Sequence, residues 1–267
     1  MRMTVGIILG TGAESTVARL GGTGETIVTP YGDAMIYRAS TGSADVVLVP
    51  RHGLDHSRLP HRLNYRSIIW ALRAAGAHQV FATNACGSLR RDLAPGALAA
   101  PHDLIDLTRT LVTFWDDERV GDVAHAHNDF TKPYCAAMRA SLIDAAQAVG
   151  ATLHPAGVYL CVDGPRFETA AEVRLFASWG ADLIGMTGAP EAVLAREAGL
   201  CYAPVAIVGN LGAGLGGDSI SHTAVADACQ AATVRAVDII LEAISRIDRR
   251  ACSCPPVVPP VPPATTG

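Results

Sequence analysis

The sequence predicts one α/β domain built on a twisted, mixed β-sheet flanked by helices. Short apolar runs alternate with segments of helical periodicity from residue 5 to about residue 249, the pattern of a sheet covered by helices on both faces. Several of these runs end in glycine or small polar residues, where open α/β sheets bind ligands. The composition changes only after Arg250, so we expect one domain over residues 1–250 and a disordered, proline-rich tail over residues 251–267.

The composition limits the classes of function. The chain has 267 residues, of which 49% are hydrophobic and 17% charged, so it can bury a large core and is expected to expose apolar surface that an oligomer would cover. A net charge of −4 without a basic stripe argues against nucleic acid as a partner. The apolar runs are too short for a membrane span or a signal segment. We therefore expect a cytoplasmic protein that binds neither membranes nor nucleic acid.

The seven cysteines are scattered through apolar segments. An odd number in this setting predicts reduced, buried thiols rather than a disulfide framework. Cys252 and Cys254 form a close pair near an exposed chain end. Such a pair can form a strained disulfide or bind a soft metal ion, but we expect it to be idle.

The first predicted strand, over 5–9, ends in Gly10-Thr11-Gly12. Backbone N–H groups of such a turn can bind an anion. The third glycine of the dinucleotide-binding fingerprint is missing, and so is the lysine of a P-loop. Inorganic phosphate or a phosphate ester is therefore the better match.

The next two predicted strands, over 45–50 and 79–83, also end in residues suited to anions. The first delivers Arg51 and His52, and an arginine there can bind an oxyanion through two N–H groups; the alternative is a surface salt bridge. The second leads into Asn84-Ala-Cys-Gly-Ser88, whose small side chains let a ligand approach the backbone. The recurrence at three strand ends predicts an anion site.

The remaining predicted elements continue the alternation. They are helices over 64–75, 135–149, 169–179, 189–198 and 221–249 and strands over 158–162, 182–184 and 201–208. Thr169 and Glu172 form a capping-box pattern, which places Phe167 and Glu168 on the loop before a helix. A flat ring beside a carboxylate suits a planar, hydrogen-bonding heterocycle, although this motif alone favours a core phenylalanine and a solvated acid.

Two histidine patterns raise the alternative of a metal-dependent hydrolase. His125-Ala-His127-Asn-Asp129 lies in an aperiodic polar segment that follows no apolar strand, and no distant ligands with metal spacing complete it. His52 and His56 lie in a loop containing Gly53 rather than on a helix. We therefore expect no metal centre.

Seven short motifs follow one another along the chain: Gly10-Thr-Gly, Arg51-His-Gly, Pro60-His-x-x-Asn-Tyr-Arg66, Thr83-Asn-Ala-Cys-Gly-Ser88, Gly164-Pro-Arg-Phe-Glu-Thr169, Gly185-Met-Thr187 and Pro190-Glu-x-x-Leu-Ala-Arg-Glu197. In this order they resemble trimeric purine nucleoside phosphorylases and methylthioadenosine phosphorylases over residues 5 to about 245. The resemblance implies a nucleoside phosphorylase-like fold, a homotrimer or a dimer of trimers, and inorganic phosphate as second substrate, with no metal and no organic cofactor. It also implies phosphorolysis of inosine or guanosine to the free base and ribose 1-phosphate.

The same resemblance implies roles for individual residues. Those implied to bind phosphate are Thr11, Arg51, His52, Ala85 and Thr187. Phe167 would pack against the purine, Met186 would lie beneath the ribose, and His127 would reach the active site of a neighbouring subunit. Those expected to be catalytic are Asn210, Glu168 and His52, which would act by positioning and by stabilising developing charge rather than as nucleophiles.

Asn210 and His222 bear on the choice of nucleoside. In the family, asparagine in the position of Asn210 goes with 6-oxopurines, because its amide can donate to N7 while it complements O6, as an ionised carboxylate cannot. Glu168 would accept from N1–H of the same bases. His222 resembles the histidine that meets the ribose 5′-hydroxyl, whereas residues 51–70 are more similar to the methylthio branch. A methylthioinosine or methylthioadenosine phosphorylase is therefore the alternative, and a catalytically silent purine-binding protein is a third hypothesis.

Overall fold

A computed structural model describes residues 2–109, 112–115, 126–216, 219–247 and 252–254. His125 and the proline-rich stretch 255–263 lie outside the described residues. The strands in this part are β1 Thr4–Leu9, β2 Thr23–Ile27, β3 Ala34–Ser40, β4 Asp45–Pro50, β5 Gln79–Ser88, β6 Leu98–Ala99, β7 Asp103–Asp106, β8 Val158–Cys161, β9 Leu183–Gly185 and β10 Cys201–Leu211. The helices are α1 Ala13–Arg19, α2 Tyr65–Ala74, α3 Ala136–Ala148, α4 Ala170–Ser178, α5 Gly188–Glu197 and α6 His222–Arg246, and a short 3₁₀ turn spans Pro60–Arg62.

The described strands form one mixed sheet, which confirms the predicted fold class. Its main path runs β2-β3-β4-β1-β5-β9-β8-β7, and β10 pairs with β5 and β6. The central pairs β4-β1, β1-β5 and β5-β10 are parallel, whereas β2-β3 and β3-β4 are antiparallel. The first half of β5 pairs with β1, while Gly87 and Ser88 at its end pair with β9. The carboxyl ends of β1, β4, β5 and β10 therefore meet at one edge.

Helices cover both faces of this sheet. Along β1, Val5, Ile7 and Leu9 point to a core shared with α3 and α6, and Ile8 points to the opposite core formed with α2 and α5. This alternation is the two-residue period of a strand buried on both sides. Full burial of each such side chain contributes about 1.5–3 kcal/mol. None of the helices in the described part of the chain combines the length and apolar character that a membrane span needs.

The strands beside the site run further than the sequence predicts. β5 continues to Ser88 and β10 continues to Leu211, through segments whose small residues predict loops. The two strands pair in parallel from Cys201 with Gln79 to Leu211 with Ser88, with a bulge between Val208 and Asn210. This long-range pairing overrides the weak strand propensity of the local sequence.

Two other regions differ from the sequence predictions. The β2–β3 hairpin and the short strands β6 and β7 are not predicted. β2 has no buried position, and in β3 only Ala34 and Ile36 are buried, so neither strand forms an apolar run. The sequence also predicts an exposed, isolated pair at Cys252 and Cys254. Both are instead half-buried, packed beside Cys135 and Cys201.

Candidate active site

A cavity of about 360 Å³ lies at the edge where the carboxyl ends of β1, β4, β5 and β10 meet. All but one of the residues predicted for the site line it. Those brought together are Thr11, Arg51, His52, Ala85, Phe167, Glu168, Met186, Thr187, Asn210 and His222. His127 is the exception in the isolated chain. The cavity is thus built from segments spread over most of the sequence.

The turn after β1 is held against β5. Gly10 N–H donates to Thr83 Oγ1 at 3.0 Å. A Cβ at Gly10 would lie 2.9 Å from Thr83 O and 2.9 Å from Arg51 Nη1, so only glycine allows this approach. Thr11 follows directly and lines the cavity. The predicted anion-binding turn is therefore placed beside the predicted anion-binding arginine.

Arg51 directly follows β4, and its side chain is almost fully buried, with 1% exposed. Its Nε and Nη2 donate to the two carboxylate oxygens of Glu191, and Nη1 donates to Thr83 O at 2.9 Å. The alternative of a surface salt bridge is therefore wrong. These bonds use three of the five N–H groups of the guanidinium, which leaves one on Nη1 and one on Nη2 for an anion in the cavity.

Glu191 balances the charge of Arg51. It lies in the first turn of α5, is fully buried, and also accepts from the Tyr202 hydroxyl at 2.7 Å. Burial lowers the pKa of Arg51, but the charge of Glu191 and its hydrogen bonds outweigh burial and raise the pKa above its ordinary value. Arg51 therefore stays cationic, and the Arg51–Glu191 pair fixes where its remaining N–H groups lie.

His52 presents a neutral imidazole to the cavity. Its Nδ1 lies 2.7 Å from Arg58 O, and because a carbonyl only accepts, Nδ1 carries the proton and Nε2 keeps a lone pair. Burial, followed by the charge of Arg51, lowers the pKa of His52 to about 3. At neutral pH the ring can therefore accept a hydrogen bond from a protonated oxygen of phosphate.

Thr187 completes the anion-binding end. It is the N-cap of α5, where backbone N–H groups and the helix dipole favour a negative charge. Its Oγ1 accepts from Asn84 Nδ2 at 3.0 Å, so the hydroxyl proton can donate to a ligand. Asn84 is buried at the middle of β5, next to Ala85. Arg51, His52 and Thr187 together offer two kinds of donor and one acceptor, a set that suits a hydrogen phosphate.

Phe167 and Glu168 also line the cavity and form the part that we call its base-binding end. Both lie on the loop before α4, whose predicted capping box is confirmed: Thr169 Oγ1 accepts from Glu172 N–H at 3.2 Å, and Glu172 Oε2 accepts from Thr169 N–H at 2.8 Å. Arg166 further holds Glu172 by two hydrogen bonds. Burial raises the pKa of Glu168 above its ordinary range. Both Phe167 and Glu168 line the cavity rather than lying in the core or in open solvent.

Met186 lies under this loop. Gly164 has a φ of +66°, and a Cβ there would come within 2.4 Å of Met186 Sδ, so both the backbone and the packing require glycine. The Met186 carbonyl also accepts from the Tyr65 hydroxyl at 3.4 Å. These contacts place a flexible apolar side chain on the cavity wall between Thr187 and the loop.

Asn210 enters the cavity from the bulged part of β10. One N–H of its Nδ2 donates to Leu211 O at 2.9 Å. A Cβ at Gly87 would lie 3.3 Å from Asn210 Nδ2, which places the amide directly beside that glycine. The bond to Leu211 leaves the amide one N–H and its carbonyl oxygen for a ligand.

Three neighbouring imidazoles also line the cavity. His52 and His56 stack with ring centroids 4.5 Å apart, and His222 approaches His56 at 5.8 Å. His222 is the first residue of α6, whose N-cap Ser221 accepts from Ala224 N–H at 3.2 Å. Burial lowers the pKa of His56, and His222 and Arg51 lower it further.

The metal-dependent alternative gains no support from the described residues. His127 is exposed, and Asp129 Oδ1 accepts from Thr131 N–H at 2.9 Å. Neither belongs to a described group of side chains close enough to share a metal ion. His125 lies outside the described residues.

Sequence reasoning missed Glu191, Asn84 and His56 as parts of the site. Glu191 stands inside a predicted helix start, and Asn84 lies in a segment noted only for its small residues. Both act through partners more than a hundred residues away, Arg51 and Thr187. The available signal was chemical: a buried arginine needs a carboxylate.

Comparisons with known proteins agree with this arrangement. Residues 4–245 match the family model described as Phosphorylase superfamily. The chain is 44% identical over 234 residues to the 6-oxopurine nucleoside phosphorylase of Pyrococcus furiosus, covering 86% of this chain and 88% of that protein. It is 38% identical over 252 residues to a probable S-methyl-5'-thioinosine phosphorylase of Methanopyrus kandleri, covering 94% of this chain and 95% of that protein.

The fold also matches solved structures. Methylthioadenosine phosphorylase from Schistosoma mansoni, in complex with adenine, superposes with a TM-score of 0.81 at 30% identity. The match covers 91% of each chain.

Proposed function

The chain belongs to the phosphorylase superfamily, and we propose that within it this protein is a 6-oxopurine nucleoside phosphorylase. It is an enzyme, a pentosyltransferase, that acts on inosine and guanosine with inorganic phosphate and releases the free base and ribose 1-phosphate. One observation carries the proposal: a single cavity joins an anion-binding end, at Arg51, His52 and Thr187, to a base-binding end, at Glu168 and Asn210.

The two ends fit the two partners of phosphorolysis. An oxygen of phosphate forms a bond to C1′ of the ribose as the bond from C1′ to N9 of the purine breaks, and the electron pair of that bond goes to the base. Arg51 and Thr187 hold the phosphate by donating to it, and Nε2 of His52 accepts a hydrogen bond from the phosphate hydroxyl group. Asn210 stabilises the charge that develops on the leaving base by donating to N7. No protein nucleophile is needed, since positioning and charge stabilisation supply the acceleration.

The base-binding end favours 6-oxopurines. Glu168 as a carboxylate accepts from N1–H, which hypoxanthine and guanine carry and adenine lacks. The remaining N–H of the Asn210 amide can be shared between N7 and O6, which are both acceptors. An adenine would leave the Glu168 carboxylate without a donor at N1, and an unpaired buried carboxylate is costly. Phe167 supplies the apolar wall against which the purine packs.

S-methyl-5'-thioinosine phosphorylase is the second candidate. Val225 and Ala226 line the cavity next to His222, so the place proposed for the ribose 5′ substituent has an apolar as well as a polar surface. The Methanopyrus kandleri relative, a probable S-methyl-5'-thioinosine phosphorylase, also covers 94% of this chain. Both candidates keep the base-binding end described here and differ only at the 5′ position.

We also propose that the protein works as a homotrimer, or as a dimer of trimers, and needs no metal ion or organic cofactor for turnover. His127 is exposed in the single chain, as a residue lent to a neighbouring subunit would be. The apolar Val28, Leu175 and Trp179 side chains are about half or more exposed, and such surface is what an oligomer covers.

The function is tested by following base release from inosine, guanosine, methylthioinosine and methylthioadenosine, each with and without inorganic phosphate. Phosphate-dependent release of hypoxanthine and guanine, with methylthioadenosine poorly used, is the expected result. Preference for methylthioinosine over inosine would transfer the assignment to the second candidate. Turnover without phosphate would contradict the mechanism, and binding without turnover would mean a purine-binding protein.

A further inference from the structure

Four cysteines come together at the edge of the sheet opposite the cavity. Cys201 is the first residue of β10, Cys135 is the N-cap of α3, and Cys252 and Cys254 lie near the chain end. The four Sγ atoms all lie within 4.8 Å of one another. The sequence brings them from three separate segments, so the cluster is a product of the fold rather than of local spacing.

The distances fit ligands of one ion better than two disulfides. Sγ of Cys252 lies 3.1 Å from Sγ of Cys201 and 3.7 Å from Sγ of Cys135, whereas a disulfide requires about 2.05 Å. A tetrahedral ion with metal–sulfur bonds of about 2.3 Å separates its ligands by about 3.8 Å. All seven cysteines of the chain are unpaired in the structure. A small adjustment of the side chains would therefore give tetrahedral coordination.

The position of the cluster suits negatively charged sulfur ligands. Cys135 is the N-cap of α3, and the N-terminus of a helix favours a negative charge there. Cys254 N–H lies 3.3 Å from Cys252 Sγ, which is within reach of a hydrogen bond to sulfur. Cys135 is buried and the other three are half-buried, so the cluster is shielded but reachable.

We propose that Cys135, Cys201, Cys252 and Cys254 bind one zinc ion. A full set of four thiolates leaves no open position, which makes the site structural rather than catalytic. Zinc suits the site because soft thiolates in tetrahedral geometry select it and it has no redox chemistry. The ion would fasten the chain end to the starts of α3 and β10. The proposal is independent of the enzymatic function, because none of the four lines the cavity.

The first measurement is the metal content of the full chain, purified under reducing conditions without chelator and without a histidine tag. We expect about one zinc per chain. The double variant Cys252→Ser/Cys254→Ser should contain only background zinc, whereas Ser253→Ala, which alters the same segment without removing a thiol, should keep its zinc. Iron in place of zinc, or no metal in a protein supplied with zinc, would overturn the assignment.

Thiol titration separates the proposal from its chemical rival. In denaturant with chelator and no reductant, all seven cysteines should react. Two disulfides within the cluster would leave only three reactive thiols, and that result would overturn the zinc site. Anaerobic addition of Co²⁺ to the metal-free chain should give the charge-transfer and d–d bands of tetrahedral thiolate coordination. These bands should be lost in the double variant and kept in Ser253→Ala.

The effect of chelator on Tm distinguishes the loss of a bound ion from a folding defect of the variants. Chelator should lower the Tm of the wild-type chain by several degrees, because an ion bound only to the folded state stabilises it. The same chelator should leave the Tm of the double variant unchanged. An equal effect of chelator on both proteins would contradict the proposal.

Discussion

Glu191→Gln is the change that tests the buried ion pair most directly. The glutamine keeps the size of the side chain but removes the charge that balances Arg51, and one of its two oxygens becomes an NH₂ group. Arg51 then faces a donor where it now donates to Oε1 and Oε2. The Tyr202 hydroxyl also loses a charged acceptor. A buried cation is left without its counter-charge.

The expected cost follows from the burial of the pair. The side chains of Arg51 and Glu191 are 1% and 0% exposed, and breaking such a buried pair from one side costs about 3–5 kcal/mol. For a chain of this size each kcal/mol corresponds to about 2–4 °C in Tm, so we expect a loss of roughly 6–20 °C. The KM for phosphate should rise about tenfold or more, because tenfold corresponds to only about 1.4 kcal/mol of misplaced interaction.

Glu25→Gln is the matched control, since it makes the same substitution in an exposed pair. Glu25 and Arg38 are 42% and 45% exposed, and such surface pairs contribute about 0–1 kcal/mol. Thermal unfolding at equal protein concentration and phosphate-dependent kinetics should be measured for both variants. If Glu191→Gln melts within a degree or two of Glu25→Gln, the account of Arg51 is refuted. If it melts early yet keeps its KM for phosphate, the pair supports the fold but does not position Arg51 for the anion.

Four further changes probe the nucleoside end. Asn210→Asp should reduce kcat/KM for inosine about 5–150-fold, which corresponds to about 1–3 kcal/mol, and should raise kcat/KM for 6-aminopurine nucleosides relative to that for inosine; unchanged inosine kinetics would contradict the proposed contact. His222→Val should weaken inosine more than methylthioinosine, and equal losses would exclude a 5′ role. His127→Ala should raise the nucleoside KM while light scattering still shows a trimer; a monomeric protein with unchanged KM would contradict the shared site. Because burial raises the pKa of Glu168 and the base needs its carboxylate form, affinity for inosine should fall at mildly acidic pH, and Glu168→Gln should flatten that limb of the profile.

The sequence predicts well those parts of the molecule whose partners are close in the chain. The capping box of Thr169 and Glu172 is a local pattern, and it places the loop that carries Phe167 and Glu168 correctly. The helix over 64–75 is likewise predicted because its apolar residues recur at helical spacing and Gly76 lies past its end; in the structure Asn64 caps its start by accepting from Ser67 N–H. The anion site follows from three strand ends, since the edge at which parallel strands end is fixed by topology.

Contacts between distant segments leave no such pattern. Arg51 and Glu191 are 140 residues apart, and Cys135 and Cys252 are 117 apart, so neither pairing can be found from periodicity or spacing. The sequence does not predict how far β5 and β10 extend, for the same reason. The end of each strand is stabilised by pairing with the other strand. The contact of His127 with a neighbouring subunit is a prediction that a single chain does not test.

The contacts made by β5 bear on how a site of this kind can diverge in evolution. This one strand bonds the Gly10 turn and Arg51 through Thr83, orients Thr187 through Asn84, and ends beneath Asn210 at Gly87. The loop before α4 and the start of α6, by contrast, reach the cavity from outside this strand. Under the proposed function, substitutions in those two segments would alter which nucleoside is accepted while the proposed phosphate-binding groups beside β5 stay unchanged. This separation of the two parts of the site is consistent with relatives that share the fold but are named for different nucleosides.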